Sequence, residues 1–368
     1  MNQDISFRPV SEGTTNVFVF KNKETVKGPG IKEKVPFYNP TMEESRDLSV
    51  VVAQWLVSNS KKKVNFCDGL AASGIRGLRF ANEVDGVFNV TINDWDKDCF
   101  ELICRNIEKL DSKKAEASNL NLNILLSEKR FDYIDIDPFG SPIYFINAAM
   151  KSIKNNGIVA ITATDTAALC GTYPKVCFRR YSAIPLHSYI MKEVGLRILL
   201  GVLCRMAGIY DKSIMPILSY STDHYFRAYV RVISGVSQAN ISMNDFRMVK
   251  PDEMPWCISN DKEIGPLWMG KLHNKNILKY LRTILSDKKL NTKNLLYKQL
   301  ELFEEETDAP SFFYTTDCLA SFFKKSPPRL ESVFSILKDK GFDVFRTQFS
   351  QTGFKTNAPK NEIEKEFK

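Results

Sequence analysis

The sequence predicts an α/β fold: a largely parallel, doubly wound sheet followed by a smaller α+β segment. Two observations predict it. From Val64 to Thr166, short buried-strand patterns alternate with helix patterns, the order that builds parallel sheets. After about Gly235 the texture turns polar and turn-rich, then becomes helical and basic. At roughly 100–200 residues per domain, 368 residues favour two domains.

The chain opens with a polar lead-in, strand-like alternation in "TTNVFVF", and a turn at Gly28-Pro29-Gly30. Pro40 and Thr41 then punctuate the entry to an apolar-periodic helix that runs to about Val57. "VNFCDG" reads as a short buried strand, and "LAASGIRGLRFANEV" as a glycine-bearing turn into a helix. "FNVTINDWD" is the second strand and "KDCFELICRNIEKL" the next helix. A short apolar piece spans Asn119–Leu126, followed by the strand of "KRFDYIDIDPFGSP" and the helix of "SPIYFINAAMKSIKNN". "GIVAITATDT" supplies another strand and "YIMKEVGLRILLGVLCRMAGIY" a long helix. "SIMPILSYSTDHYFRAYVRVIS" reads as two strands around a polar turn, adding an antiparallel edge.

Residues 235–263 read as a linker. "LHNKNILKYLRTILSDKKLNTKNLLYKQLELFEEET" carries two basic helices. The remainder runs helix, turn, helix and two short strands, a winged-helix-like order. There is no internal repeat.

Lys and Arg total 51 against 43 Asp and Glu, a formal charge of +8 that favours an anionic partner, nucleic acid first. No run of about 18 apolar residues suggests a membrane span, and the start lacks the pattern of a signal peptide. Eight cysteines form no C-x-x-C pair and read as reduced thiols of a cytoplasmic protein. With three histidines besides, a structural zinc site is not expected.

The glycine turn Asp68–Gly77 follows a strand and opens a helix, so its backbone can approach a ligand closely. It lacks the G-x-G-x-x-G spacing that cradles a pyrophosphate. Asp94, at the end of the next strand, is placed to accept both ribose hydroxyls of an adenosine; it or Asp96 also suits the helix N-cap. Together these read as a site for an adenosine cofactor without phosphates, which S-adenosylmethionine fits. Arg46 and Arg76 are candidates for its carboxylate, since a guanidinium fork matches that geometry.

The strand "YIDIDPFG" poses a sharper question, because a buried carboxylate is costly unless paired or used. Asp137 sits where ligands bind such sheets. Beside the exocyclic amine of a base it could hold the NH₂ hydrogens and take the proton after methyl transfer. The Pro138 carbonyl could accept the second hydrogen, and Phe139 offers a stacking face. Asp135 reads as a structural hydrogen-bonding acid, with catalysis the lesser option. Thr164 and Asp165 suit turn chemistry, or could shape a base pocket. Lys61–Lys63 read as a solvated cluster, whereas Lys324, Lys325 and Arg329, beside the helix-turn-helix pattern, suit phosphate contact.

The blocks "VPFYNPTMEESRDLSVVV", "CDGLAASGIRGLRFANE", "NDWD", "YIDIDPFGSPIYFINAAM", "ITATDTAALCG", "DHYFRAYVRV", "GPLWMG" and "FRTQFSQTGFKTNAP" strongly resemble the tRNA (guanine(26)-N(2))-dimethyltransferases, archaeal members above all, and cover about Pro36 to Pro359. The resemblance implies a class I, Rossmann-like methyltransferase domain over residues 1–240 and a family-specific tRNA-binding domain over residues 241–368. It implies S-adenosylmethionine as donor, tRNA as partner and N2 of guanine 26 as acceptor, with no obligate protein partner. Arg46, Gly69, Arg76 and Asp94 would contact the cofactor. Asn121 and Leu122 would stand where the family has Asp-Ala-Asn at the adenine. Asp137 would be the catalytic acid/base, with Phe139 and Phe37 sandwiching the base. Where some members carry four zinc-binding cysteines this chain has only Cys257, so no zinc is expected. The alternatives are another DNA or RNA amino-methyltransferase, a dinucleotide dehydrogenase, or a non-catalytic winged-helix nucleic-acid binder.

Overall fold

A computed structural model describes residues 7–21, 38–365 and 367 of the chain. The lead-in forms a hairpin of β1 (Phe7–Glu12) and β2 (Thr15–Phe20). Its apolar residues Val17 and Val19 and the carboxylate of Glu12 point into the protein. Asn39 accepts from Thr41 N and starts the turn into α1 (Glu43–Ser58), whose Val50, Val51 and Val52 are fully buried.

The alternating region follows in order: β3 (Val64–Asp68), α2 (Ile75–Glu83), β4 (Phe88–Asn93), α3 (Lys97–Leu110), β5 (Ala115–Ser118), α4 (Leu122–Glu128), β6 (Phe131–Ile136), α5 (Ile143–Ser152) and β7 (Ile153–Ala163). Next come α6 (Thr166–Leu169), α7 (Pro174–Tyr181), α8 (Met191–Gly208), β8 (Lys212–Ser221) and β9 (Phe226–Ser234). The seven strands pair in the order β5-β4-β3-β6-β7-β9-β8. The first five are parallel, and β9 lies antiparallel between β7 and β8.

Helices cover both faces, so central strands are buried on both sides. Ile134 and Ile136 of β6 face the layer holding α5 and α8, while Tyr133 faces the layer holding α1, α2 and α3. By the two-residue period of a strand, Asp135 shares the Tyr133 face and Asp137 lies just past the strand end.

The segment read as a linker is more ordered than its polarity suggests. It contains α9 (Val236–Asn244) and β10 (Phe246–Val249), which pairs with β11 (Ile264–Trp268). In α9 only Ala239 and Ser242 are buried, so almost no apolar periodicity marks it as a helix. Likewise α7 escaped the sequence reading, because it buries only Cys177 and Tyr181.

The two helices read as basic are α10 (Lys275–Asp287) and α11 (Lys293–Glu306); α10 has a basic excess, whereas α11 carries two lysines against four glutamates and is acidic. Their Leu278, Leu281, Leu296 and Leu300 join the same hydrophobic cluster as α1 and α2. Beyond them, β12 (Tyr314–Thr315), α12 (Thr316–Phe323), α13 (Leu330–Asp339), β13 (Val344–Thr347), β14 (Ser350–Thr356) and α14 (Lys360–Lys365) follow the winged-helix-like order. Leu319, Val333, Leu337, Phe354 and Ile363 give this last module its own small core.

Candidate active site

The parallel strands β3, β4, β6 and β7 end along one edge of the sheet, the edge where open α/β sheets bind ligands. Each strand end delivers a polar side chain: Asp68, Asp94, Asp137 and Thr164. A cavity at this edge is lined by Arg46, Asp68, Arg76, Asp137, Pro138 and Phe139, with Thr164, His224 and Tyr225 on its rim.

Asp135 is fully buried and held by Arg227, which reaches it from β9 at 3.0 and 2.6 Å. Arg227 also donates to Thr162 Oγ1 at 2.8 Å, and Tyr133 OH donates to Asp135 at 3.1 Å. Burial alone would raise the Asp135 carboxyl. The Arg227 and Arg76 guanidiniums and these hydrogen bonds outweigh it and hold the group below its ordinary value.

Asp137 has a different setting. Its side chain is 23% exposed, faces the cavity, and accepts from Arg76 Nη2 at 2.5 Å. Arg76 projects from the first turn of α2, donates through Nη1 to Ser49 Oγ of α1 at 2.6 Å, and sets Nε 3.4 Å from Asp135. One guanidinium thus links both acids of the strand. After Asp137 the chain turns at Gly140, which adopts φ +94, a left-handed conformation that strongly favours glycine. Gly140 N donates to Thr164 Oγ1 at 2.6 Å and Thr164 N to Gly140 O at 3.0 Å, joining the turns after β6 and β7. The turn presents Phe139 outward, 57% exposed.

Arg46 lies against the hairpin. Glu12 accepts from its Nε at 2.7 Å and also from Nη2, and Asn39 O accepts at 2.9 Å. Tyr38 OH donates to Glu12 at 2.6 Å, and its ring lies 5.2 Å from the Arg46 guanidinium. Glu12 therefore anchors one wall of the cavity, although it lies 34 residues before Arg46 and nothing local in the sequence marked it. Phe37 lies outside the described residues.

The remaining predicted residues, Gly69, Asp94, Asn121 and Leu122, are not among those that line the cavity. Asp94 is nearly buried and accepts from Ala72 N at 2.8 Å and Asp96 N at 3.0 Å. Burial lifts its carboxyl above the ordinary value despite those donors. The cap of α3 is Asp96, which accepts from Asp98 N and Cys99 N. Gly69 packs on Leu122: a Cβ at that glycine would stand 2.8 Å from the Leu122 side chain and 3.0 Å from Asp135 O. Asn93 Nδ2 donates to Gly69 O and to Leu120 O, both at 3.0 Å, tying the two loops together. The Asn121 side chain caps α4, accepting from Asn123 N at 2.9 Å.

Asp68 opens the glycine turn, where the local sequence assigns it no role. It is buried, accepts from Gly77 N at 2.9 Å, and burial together with Asp135 pushes its carboxyl up to about 7. Its position, an acid at a strand end like Asp137, was the available signal. Asp165 turns away from the cavity, pairing with Arg180 at 3.0 Å and Tyr181 OH at 2.6 Å. Lys61–Lys63 precede β3 and so stand at the opposite edge of the sheet. Lys324, Lys325 and Arg329 are exposed in the α12–α13 turn. Among the described residues there is no cluster of side chains suited to a metal ion, and no helix is long and apolar enough to cross a membrane.

A cavity edged by arginine and acid at the carboxyl ends of the parallel strands, with a buried acid just past the end of β4, suits an adenosine cofactor carrying an amino acid. The fold agrees. Trm1 from Pyrococcus horikoshii, solved in complex with S-adenosyl-L-methionine, superposes with a TM-score of 0.85 at 32% identity, covering 97% of this chain and 99% of that one. The tRNA (guanine(26)-N(2))-dimethyltransferase of Methanobrevibacter smithii is 36% identical over 347 residues, 89% of each chain. The enzyme of the same name from Pyrococcus furiosus is 36% identical over 376 residues, 95% of each. The family described as N2,N2-dimethylguanosine tRNA methyltransferase matches residues 13–368, and this chain belongs to that family.

Proposed function

We propose that the chain transfers methyl groups from S-adenosylmethionine to the exocyclic N2 of guanine 26 in tRNA, giving N2-methylguanosine and then N2,N2-dimethylguanosine. The observation that carries this reading is Asp137, a partly exposed carboxylate facing the cavity and oriented by Arg76 at 2.5 Å. The cofactor supplies an electrophilic methyl on sulfur. Arg46 and Arg76 edge the part of the cavity that would take its amino-acid end, Asp94 would accept from the ribose, and Gly69, Asn121 and Leu122 would border the adenine.

The guanine amine is a weak nucleophile because its lone pair is delocalised into the ring. Asp137 accepts a hydrogen bond from one N2–H, favouring the geometry in which the lone pair points at the methyl. As the N–C bond forms and the C–S bond breaks, Asp137 takes the proton the nitrogen must lose. The Pro138 carbonyl would accept the other N2–H, and Phe139 would stack on the base. A monomethylated amine keeps one hydrogen, so the same carboxylate can serve a second transfer. Lys324, Lys325 and Arg329 would contact phosphates. Eight free cysteines accord with a reducing cytoplasm.

The test is incubation of the purified chain with unmodified tRNA transcript and S-adenosylmethionine, followed by nucleoside analysis. Methylated guanosine at position 26, absent when guanine 26 is replaced by adenine, is the expected result. Methylation elsewhere, or none, would overturn the reading.

A further inference from the structure

The helix α7 presents two contrasting faces. Cys177 and Tyr181, one turn apart, point inward and are buried. Lys175, Phe178 and Arg179, spaced three and four residues apart, point outward and are exposed. Phe178 is 62% exposed, and Tyr173, just before the helix, is 59% exposed. The side chains of Lys175 and Arg179 have no hydrogen-bond or ion-pair partner among the described residues. The helix contains no acidic residue.

Packing does not explain this face, and neither does the helix dipole. Arg179 and Arg180 in the last turn suit the dipole, but Lys175 in the first turn opposes it. Exposed aromatic rings interleaved with unpaired cations are the composition of a surface for single-stranded nucleic acid, where bases stack and phosphates pair.

The helix is also tied to the catalytic turn. Tyr181 OH bonds Ser141 Oγ at 2.7 Å, four residues after Asp137, and donates to Asp165 at 2.6 Å. Arg180 donates to that same Asp165, which follows Thr164 of the cavity rim. Phe139, two residues after Asp137, is exposed as well. A guanine in a stack can reach Asp137 only by leaving the stack, which uncovers the faces of its neighbours.

Resting on the function proposed above, we infer that the outer face of α7, with Tyr173, Phe178, Lys175 and Arg179, binds the unstacked nucleotides next to the target guanine on the same RNA strand. Phe178 and Tyr173 receive base faces, and Lys175 and Arg179 receive the flanking phosphates.

The experiment compares wild type with Phe178→Ala, Phe178→Tyr, Arg179→Ala and Lys175→Ala. Melting curves and S-adenosylmethionine affinity serve as controls; all three positions are exposed, so the four variants should leave both unchanged. For Phe178→Ala, affinity for unmodified tRNA should fall about 10-fold, with Phe178→Tyr within about twofold of wild type, since a ring is retained. Arg179→Ala and Lys175→Ala should each make the dependence of affinity on salt shallower by about one phosphate contact. Unchanged tRNA affinity and salt slope in all the variants would overturn the inference. So would a changed oligomeric state on sedimentation with unchanged RNA affinity, which would mark the face as a contact between copies of the chain. A wild-type protein that leaves guanine 26 unmethylated would overturn the function itself, and the inference with it.

Discussion

Arg227 reaches across β7 to hold Asp135 through both terminal nitrogens, at 3.0 and 2.6 Å, and both side chains are fully buried. The pair lies two residues from Asp137 on the same strand end, yet only Asp137 meets the cavity. Two acids that look alike in "YIDIDPFG" therefore have different work: one neutralises a buried arginine, the other is available to a substrate.

That contrast predicts opposite phenotypes. Asp137→Asn keeps the shape but removes the charge and the proton acceptor, so single-turnover methylation should fall by about 10²–10⁴-fold with little change in melting temperature. Asp135→Asn leaves the buried guanidinium of Arg227 without its counter-charge, so stability should fall by about 3–5 kcal/mol in urea titrations. A folded, inactive Asp135→Asn beside an active Asp137→Asn would mean that the roles are reversed.

Asp94→Ala should weaken S-adenosylmethionine binding by about 10- to 150-fold, the equivalent of roughly 1.5–3 kcal/mol for hydrogen bonds to a charged group. Because Asp96 caps α3, the helix start survives the change. Asp96→Ala should therefore lower stability by about 1 kcal/mol through the lost cap and leave cofactor affinity intact. Calorimetry on both variants checks the pair; equal affinities for Asp94→Ala and wild type would remove Asp94 from the site.

Asp68 predicts a pH effect. Its carboxyl is pushed up to about 7 in the folded protein, from an ordinary 3.8, by burial and by Asp135. Between those values the folded state holds a proton that the unfolded state has released, so this group's contribution to stability falls as pH rises from about 4 to 7. Asp68→Asn removes the titration and keeps an acceptor for Gly77 N. From pH 5 to pH 8 the variant should gain on wild type by roughly 3 kcal/mol in unfolding free energy. A pH-independent difference would show that Asp68 titrates normally.

Lys355 of β14 ties the C-terminal module to α8 and α11. Its ammonium is buried and lies 3.0 Å from Glu193 of α8 and 3.1 Å from Glu306 of α11. Burial would raise the Glu193 carboxyl, but Lys355 and Arg197 outweigh it and hold the group below its ordinary value. Lys355→Ala should cost about 3–5 kcal/mol by leaving these acids under-compensated. Differential scanning calorimetry should show the loss in the main transition. An unchanged transition would mean that the module is held by its apolar contacts alone.

Local pattern alone carried much of this protein. Strand and helix periods repeat every few residues, so the alternation from Val64 to Thr166 was legible without any contact between distant parts of the chain. The same holds for the acids at strand ends, because a strand end is a local event: Asp94 and Asp137 could be placed from the sequence, and "YIDIDPFG" marked the edge of the sheet. Tertiary structure decided what those groups touch. The partner of Asp135 lies 92 residues away, the Ser49 hydroxyl that meets Arg227 lies 178 residues from it, and Glu12 reaches Arg46 from a hairpin whose polarity looked like a lead-in. Arg76 looked like a cofactor contact, and only the packing of α2 on the sheet, where β3 lies beside β6, brings it onto Asp137. The weakly patterned helices α7 and α9 were missed for the related reason that they bury only two residues each. An amphipathic period records how much of an element is covered by neighbours. Where few side chains are covered, or where a charge is satisfied by a residue far along the chain, the information lies in the packing and not in the local order of residues.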